Sequence, residues 1–111
     1  MASVYRILTA AQWAEAERLG AVRPNDLDRA SGFLHLSAED QLFETADRYF
    51  TPEVEPVALE LDPDSLGQAL RWEPVASRGG ALFPHLYADA IGLDLVRAVI
   101  PLASPDATSR R

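Results

Sequence analysis

The first apolar run, Val4 to Leu8, is broken only by Arg6 and stops at Thr9, whose partner three residues on is Gln12, the spacing of a capping box. This predicts a short strand feeding a helix. Trp13, Ala16 and Leu19 form that helix's apolar stripe, Glu15, Glu17 and Arg18 its polar side, and Gly20 is placed to end it. From Val22 to Ser31 the turn formers Pro24, Asn25, Asp26, Asp28 and Ser31 predict an irregular loop with room for one helical turn. Gly32 to Leu36 then alternates, sending Phe33 and His35 to one face and Leu34 and Leu36 to the other. Ser37, with Asp40 at the box position, is expected to cap a second helix that buries Leu42, Ala46, Tyr49 and Phe50 and ends at Thr51-Pro52.

The second half reads as strands. Val57–Leu61 is bounded by Asp62-Pro63-Asp64-Ser65, and Leu70–Val75 puts Arg71 and Glu73 on one face. Ser77 to Gly80 is a flexible turn. Phe83–Tyr87 is extended, with Phe83, His85 and Tyr87 on one side and Pro84 favouring a sheet edge, because proline lacks a ladder donor. A last strand runs from Leu95 to Leu102. Helices in the first half and strands in the second indicate an α+β fold with a largely antiparallel sheet.

Composition narrows the picture. A length of 111 residues allows one domain, expected over residues 1–102, with the small polar residues 103–111 as a flexible tail. Seventeen acidic residues against ten basic ones give a net charge of −7, which excludes nonspecific duplex binding but leaves room for a local basic pocket. Without cysteine there is no disulfide, thiolate nucleophile or zinc–thiolate site. The opening Met1 to Arg6 carries no apolar leader and no apolar span of membrane length follows, so a cytoplasmic protein without membrane association is expected.

Candidate chemistry is concentrated in few side chains. His35 and His85 each sit in a short apolar strand, where both ring nitrogens need partners or access to a cleft, and each has a hydroxyl two places on, Ser37 and Tyr87. The alternative is a pair of satisfied structural histidines. Two histidines without a neighbouring carboxylate make a poor metal site, so no metal is assigned. Arg6, inside an apolar strand, needs a carboxylate such as Glu60 or Glu73, or else a ligand phosphate to clamp. Arg71 and Glu73 flank Trp72; Trp72 and Trp13 are expected in the core, with a cleft wall the other reading for Trp72. No phosphate-binding glycine loop, dinucleotide fingerprint, zinc-protease motif or serine-hydrolase motif occurs.

Taken together, Val4-Tyr5-Arg6-Ile7-Leu8-Thr9 with Trp13, Gly32-Phe33-Leu34-His35-Leu36-Ser37, Leu59-Glu60-Leu61-Asp62, Arg71-Trp72-Glu73 and Phe83-Pro84-His85-Leu86-Tyr87 resemble the DUF952 family of small bacterial proteins, from about Val4 to Leu102. That family in turn resembles the ADP-ribosyltransferase superfamily, its RNA 2′-phosphotransferase branch in particular. The resemblance implies a split, curved sheet around a nucleotide- or NAD-like cleft and a ribosyl- or phosphotransferase, with NAD as substrate rather than resident cofactor. It assigns His35, His85 and Glu73 as catalytic candidates and Arg6, Thr9, Ser37, Arg71, Trp72 and Tyr87 as ligand-binding ones. Arg6 stands where the family's first-strand histidine would fall; being longer and always charged, it suits a phosphate rather than a ribose hydroxyl. The alternative on the same fold is a non-catalytic ligand-binding or protein-interaction module.

Overall fold

The computed structural model describes residues 2–102; the tail expected over 103–111 lies outside the described residues. In chain order the elements are β1 (Val4–Leu8), α1 (Ala10–Leu19), β2 (Ala21–Val22), α2 (Asp26–Ser31), β3 (Leu34–His35), β4 (Ser37–Ala38), α3 (Leu42–Tyr49), β5 (Val57–Leu61), α4 (Pro63–Leu66), β6 (Leu70–Val75), β7 (Ala81–Leu86), β8 (Ile91–Gly92) and β9 (Val96–Pro101). The strands make a four-stranded sheet in the order β4-β1-β5-β9, a three-stranded sheet β3-β7-β6 and a small β2-β8 pair. Every pairing between them is antiparallel. The fold is therefore α+β with open antiparallel sheets.

Alternation along β1 explains why the four-stranded sheet carries apolar side chains on both faces. Val4 and Leu8 join a cluster with Leu34, Leu36, Leu59, Leu61, Leu86 and Ile91, against which Trp13 and Ala16 of α1 pack. Tyr5 and Ile7 point the other way, into a second cluster with Leu42 and Ala46 of α3, Ala58 and Leu102. Arg6 shares the parity of Val4 and Leu8, so a guanidinium enters the edge of the larger cluster and is 3% exposed. The apolar surface that surrounds it stabilises the fold by roughly 25 cal/mol per Å² buried, and the arginine survives there only with a partner.

The local signals mostly form as the sequence indicates. Thr9 accepts from Gln12 N and Gln12 returns a carbonyl to Thr9 N, while Gly20 closes α1 in the left-handed region at φ 82°. The loop after Val22 is more ordered than its composition suggests: Asn25 and Asp28 make a second capping box, which starts α2. Ser37, expected as a helix cap, instead lies in β4 opposite Tyr5, and the chain passes through a short 3-10 turn at Glu39–Gln41 before α3. Strand pairing with β1 outcompeted the capping geometry there, and Gln41 rather than Asp40 accepts from the backbone, at Ala38 N. Tyr49, expected on the buried stripe, is 58% exposed.

Pro84 does not mark an edge. It is buried in β7, the central strand of its sheet, opposite Trp72. In an antiparallel strand a residue's N–H and C=O face the same neighbour, and the Pro84 carbonyl accepts from Leu36 N, just past the two-residue β3. The missing donor thus falls where the short partner strand has already ended.

Candidate functional site

β3 and β7 place His35 directly opposite His85, so the two imidazoles share one face of the three-stranded sheet. Their ring centroids are 5.9 Å apart, edge to face. Phe33, of the same parity as His35, stacks on His85 at 3.9 Å and tilts against His35 at 4.7 Å, fixing both rings in place.

Each histidine is held by its own carboxylate. Asp28 is 2% exposed, and the capping box of α2 returns its Oδ2 to Asn25 N at 2.8 Å. Oδ1 accepts from His35 N at 3.1 Å and pairs with His35 Nδ1 at 2.7 Å. Arg6 closes the group, donating Nη1 to Oδ1 at 3.1 Å and Nη2 to Oδ2 at 2.6 Å, with a further bond from Nη1 to the His35 carbonyl at 3.0 Å. Burial pushes the Asp28 carboxyl up, but the hydrogen bonds from His35 and Arg6 and the arginine's charge more than offset it, holding the group well below the usual carboxylate range. On the other side His85 Nδ1 meets Glu73 Oε1 at 2.8 Å, and the same oxygen accepts from the Tyr87 hydroxyl at 2.7 Å. Tyr87 first, then His85, lower the Glu73 pKa; the same bond to Glu73 raises that of the phenol.

A carboxylate at Nδ1 fixes the neutral imidazole as the Nδ1–H tautomer, so Nε2 is left as the acceptor. The arrangement therefore presents two oriented Nε2 atoms on one sheet face. Both histidines line a cavity of about 300 Å³ whose polar wall also carries Arg6, Ser37 and Arg78. The Arg78 side chain is 5% exposed, ion-paired with Glu44 at 3.3 Å and stacked 4.5 Å over Phe83. The rest of the wall sets Gln12, Asn25 and Thr45 among apolar residues that include Leu27, Tyr49 and Phe50.

Of the residues singled out in the sequence, His35, His85, Ser37 and Arg6 line the cavity. Glu73 and Tyr87 stand behind His85, and Arg71 lies 5.1 Å from the Tyr87 ring centre. Thr9 is occupied in capping α1. Trp72 is neither core nor cleft wall: it has the opposite parity to Arg71 and Glu73 on β6 and is 46% exposed. The Arg6 partner is Asp28, not Glu60 or Glu73; Glu60 accepts from Ser3 instead. Asp28 was the residue missed. Its signal was present in the Asn-x-x-Asp spacing, which marks a capping box, although nothing in the sequence shows that the same carboxylate also serves Arg6 and His35. Among the described residues no group of three or more His, Cys, Asp or Glu side chains is placed to hold a metal ion, and no helix is long and apolar enough to cross a membrane.

The family described as protein of unknown function (DUF952) matches residues 7–99. Among solved structures, the crystal structure of protein CC0527 from Caulobacter crescentus is 37% identical with a TM-score of 0.79, covering 89% of this chain and 84% of that one. The solution structure of CC0527 is 38% identical with a TM-score of 0.77, covering 91% and 84%. No curated protein matches the chain.

Proposed function

Because the chain belongs to the DUF952 family, whose description names no activity, we propose its function from the site itself: acid–base group transfer at a phosphorylated, nucleotide-like ligand. The observation that carries this reading is the pair of imidazoles, each anchored at Nδ1 by a carboxylate and both opening on one cavity. Two such groups divide the work of phosphoryl transfer. One Nε2 takes the proton of the attacking hydroxyl or water as its oxygen bonds to phosphorus; the other, protonated, gives its proton to the leaving oxygen as the old P–O bond breaks. Each step of this kind contributes about 10²- to 10⁴-fold. Asp28 and Glu73 act through the histidines, as positioning residues that hold tautomer and ring orientation.

The cavity wall suits such a ligand. The Arg78 guanidinium stands in this wall against one exposed carboxylate, Glu44, which a phosphate can displace, and guanidinium groups match phosphate oxygens with paired donors; Arg6 is already neutralised by Asp28 and adds no free charge. Tyr49, 58% exposed, and Phe50 line the same cavity and offer flat aromatic contact to a base, with the aliphatic Leu27, 56% exposed, beside them.

The ADP-ribosyltransferase-like alternative, ribosyl transfer from NAD, needs a carboxylate beside the anomeric carbon to stabilise developing cation. Glu73 is the candidate, yet it lies outside the residues lining the cavity, and its Oε1 is engaged by both Tyr87 and His85. Phosphotransfer is therefore the better-supported chemistry.

Incubation with a panel of NAD, ADP-ribose, nucleotides and sugar phosphates, following released phosphate and released nicotinamide separately, distinguishes the two. The proposal expects phosphate release with a bell-shaped pH profile that His35→Gln and His85→Gln each abolish while the circular dichroism spectrum is retained. Nicotinamide release alone, or phosphate release indifferent to both substitutions, would overturn it.

A further inference from the structure

A second concavity, a groove of about 460 Å³ between α1 and the segment from β2 to α2, shares Arg6, Gln12 and Asn25 with the histidine cavity. The shared wall has one chemical character. Gln12 Oε1 is consumed by Thr9 N and Asn25 Oδ1 by Asp28 N, because both residues belong to capping boxes. A backbone N–H requires the amide oxygen, so the NH₂ group of each side chain is left facing elsewhere, without a partner among the described residues. Arg6 Nε is buried and likewise unpartnered. Three donors with no acceptor thus meet where the two concavities join. Of the three, only Arg6 Nε is shut off from water, where an unsatisfied donor is costly and a bound acceptor recovers the loss; the NH₂ of Gln12, an exposed residue, is open to solvent.

The groove beyond this wall carries Arg23 and Arg29 against a single acid, Glu15, in a protein that is otherwise acidic. Glu15 is ion-paired with Arg18, and Arg29 with Asp26, whereas Arg23 has no ion-pair partner among the described residues. We infer that this wall and groove form an anion subsite for a second phosphate of the ligand. The substrate class is then a nucleoside diphosphate or diphosphate ester, with one phosphoryl group at the histidines and the next held by Arg6 Nε, Gln12 Nε2 and Asn25 Nδ2, with Arg23 and Arg29 supplying charge. The inference rests on the phosphotransfer reading of the histidine cavity.

The capping geometry supplies the test. Gln12→Glu and Asn25→Asp both keep the oxygen that caps the helix and exchange the donor for a carboxylate oxygen, so folding is retained while the subsite turns repulsive to anions. Calorimetric titration with AMP and ADP at fixed salt, on the wild type and on the doubly substituted protein, reads the result. The expected outcome is ADP binding at least about tenfold tighter than AMP, the range of one charge-assisted contact, with the ratio of the two affinities falling to near one in the variant; Gln12 and Asn25 also line the histidine cavity, so the ratio rather than the AMP affinity alone is the readout. ADP binding no tighter than AMP, or a preference that survives both substitutions, would overturn the subsite and leave the histidine cavity standing. Binding of neither nucleotide by the wild type would overturn both. If the double variant melts well below the wild type, Arg23→Ala with Arg29→Ala, both at exposed positions, must remove the same preference, and retention of the preference there counts against the subsite.

Discussion

Asp28→Asn is the sharpest perturbation of the site. The carboxylate is 1% exposed at its side chain and neutralises Arg6, itself 3% exposed, while accepting from Asn25 N and from both the backbone and the ring of His35. Asparagine keeps the shape but removes the charge and turns one acceptor into a donor, which must then face another donor. Breaking a buried ion pair by removing one partner costs about 3–5 kcal/mol, because the other charge stays buried and uncompensated. Against a total stability on the order of 5–15 kcal/mol, that is a large share, and at about 4–8 °C per kcal/mol it lowers Tm by roughly 12 °C or more. Removing the cation as well, Arg6→Met with Asp28→Asn, leaves no stranded charge and keeps an amide oxygen to accept from the donors around Asp28, so it is expected to cost less than Asp28→Asn alone. Urea unfolding of the three proteins, followed by circular dichroism, measures both differences. A loss below about 1 kcal/mol for Asp28→Asn, the size of a surface pair, would refute the reasoning, as would a double variant less stable than the single one.

Further expectations concern pH and local geometry. Since the folded pKa of Asp28 is depressed, its contribution is complete above the unfolded value near pH 4 and is lost as the pH falls through the lower folded value; acid unfolding should therefore begin below about pH 4 and be shallower in the Arg6→Met, Asp28→Asn protein, which lacks that carboxylate. Tyr87→Phe removes the leading cause of the lowered Glu73 pKa, so a carbon-detected NMR titration should show the Glu73 carboxyl moving up; no movement would contradict the shared-oxygen geometry. Conversely Glu73→Gln should let the Tyr87 phenol titrate at lower pH by ultraviolet absorbance. Gly20→Ala meets no atom within 4 Å but forces a side chain into φ 82°, so it should cost about 1 kcal/mol in urea unfolding through backbone strain alone.

Where a signal was local, the sequence was legible. The Thr9–Gln12 box, Gly20 and the alternation of Phe33 to Leu36 each depend on neighbours within a few residues, and the structure realises them. The facing of His35 and His85 was implied only weakly, by both lying in apolar strands; their opposition requires β3 and β7, fifty residues apart in the chain, to pair in one register. Asp28 shows the limit most clearly. Its capping role is written in a four-residue spacing, but its bonds to Arg6 and His35 depend on how α2 docks against β1 and β3, a tertiary arrangement that no periodicity encodes. Pro84 and Trp72 went astray for a related reason: edge and core status belong to a strand's neighbours, not to its residues.

Thermal unfolding of the wild type, His35→Ala and His85→Ala with AMP, ADP, NAD and sugar phosphates bears most directly on the two-histidine phosphate site. A ligand present at 100 times its Kd adds about 2.7 kcal/mol, which for a chain of this size raises Tm by several degrees. The account predicts such a rise for at least one phosphorylated nucleotide in the wild type and its loss in both histidine variants. No rise with any of them up to millimolar concentration, or one that persists without either imidazole, would contradict it.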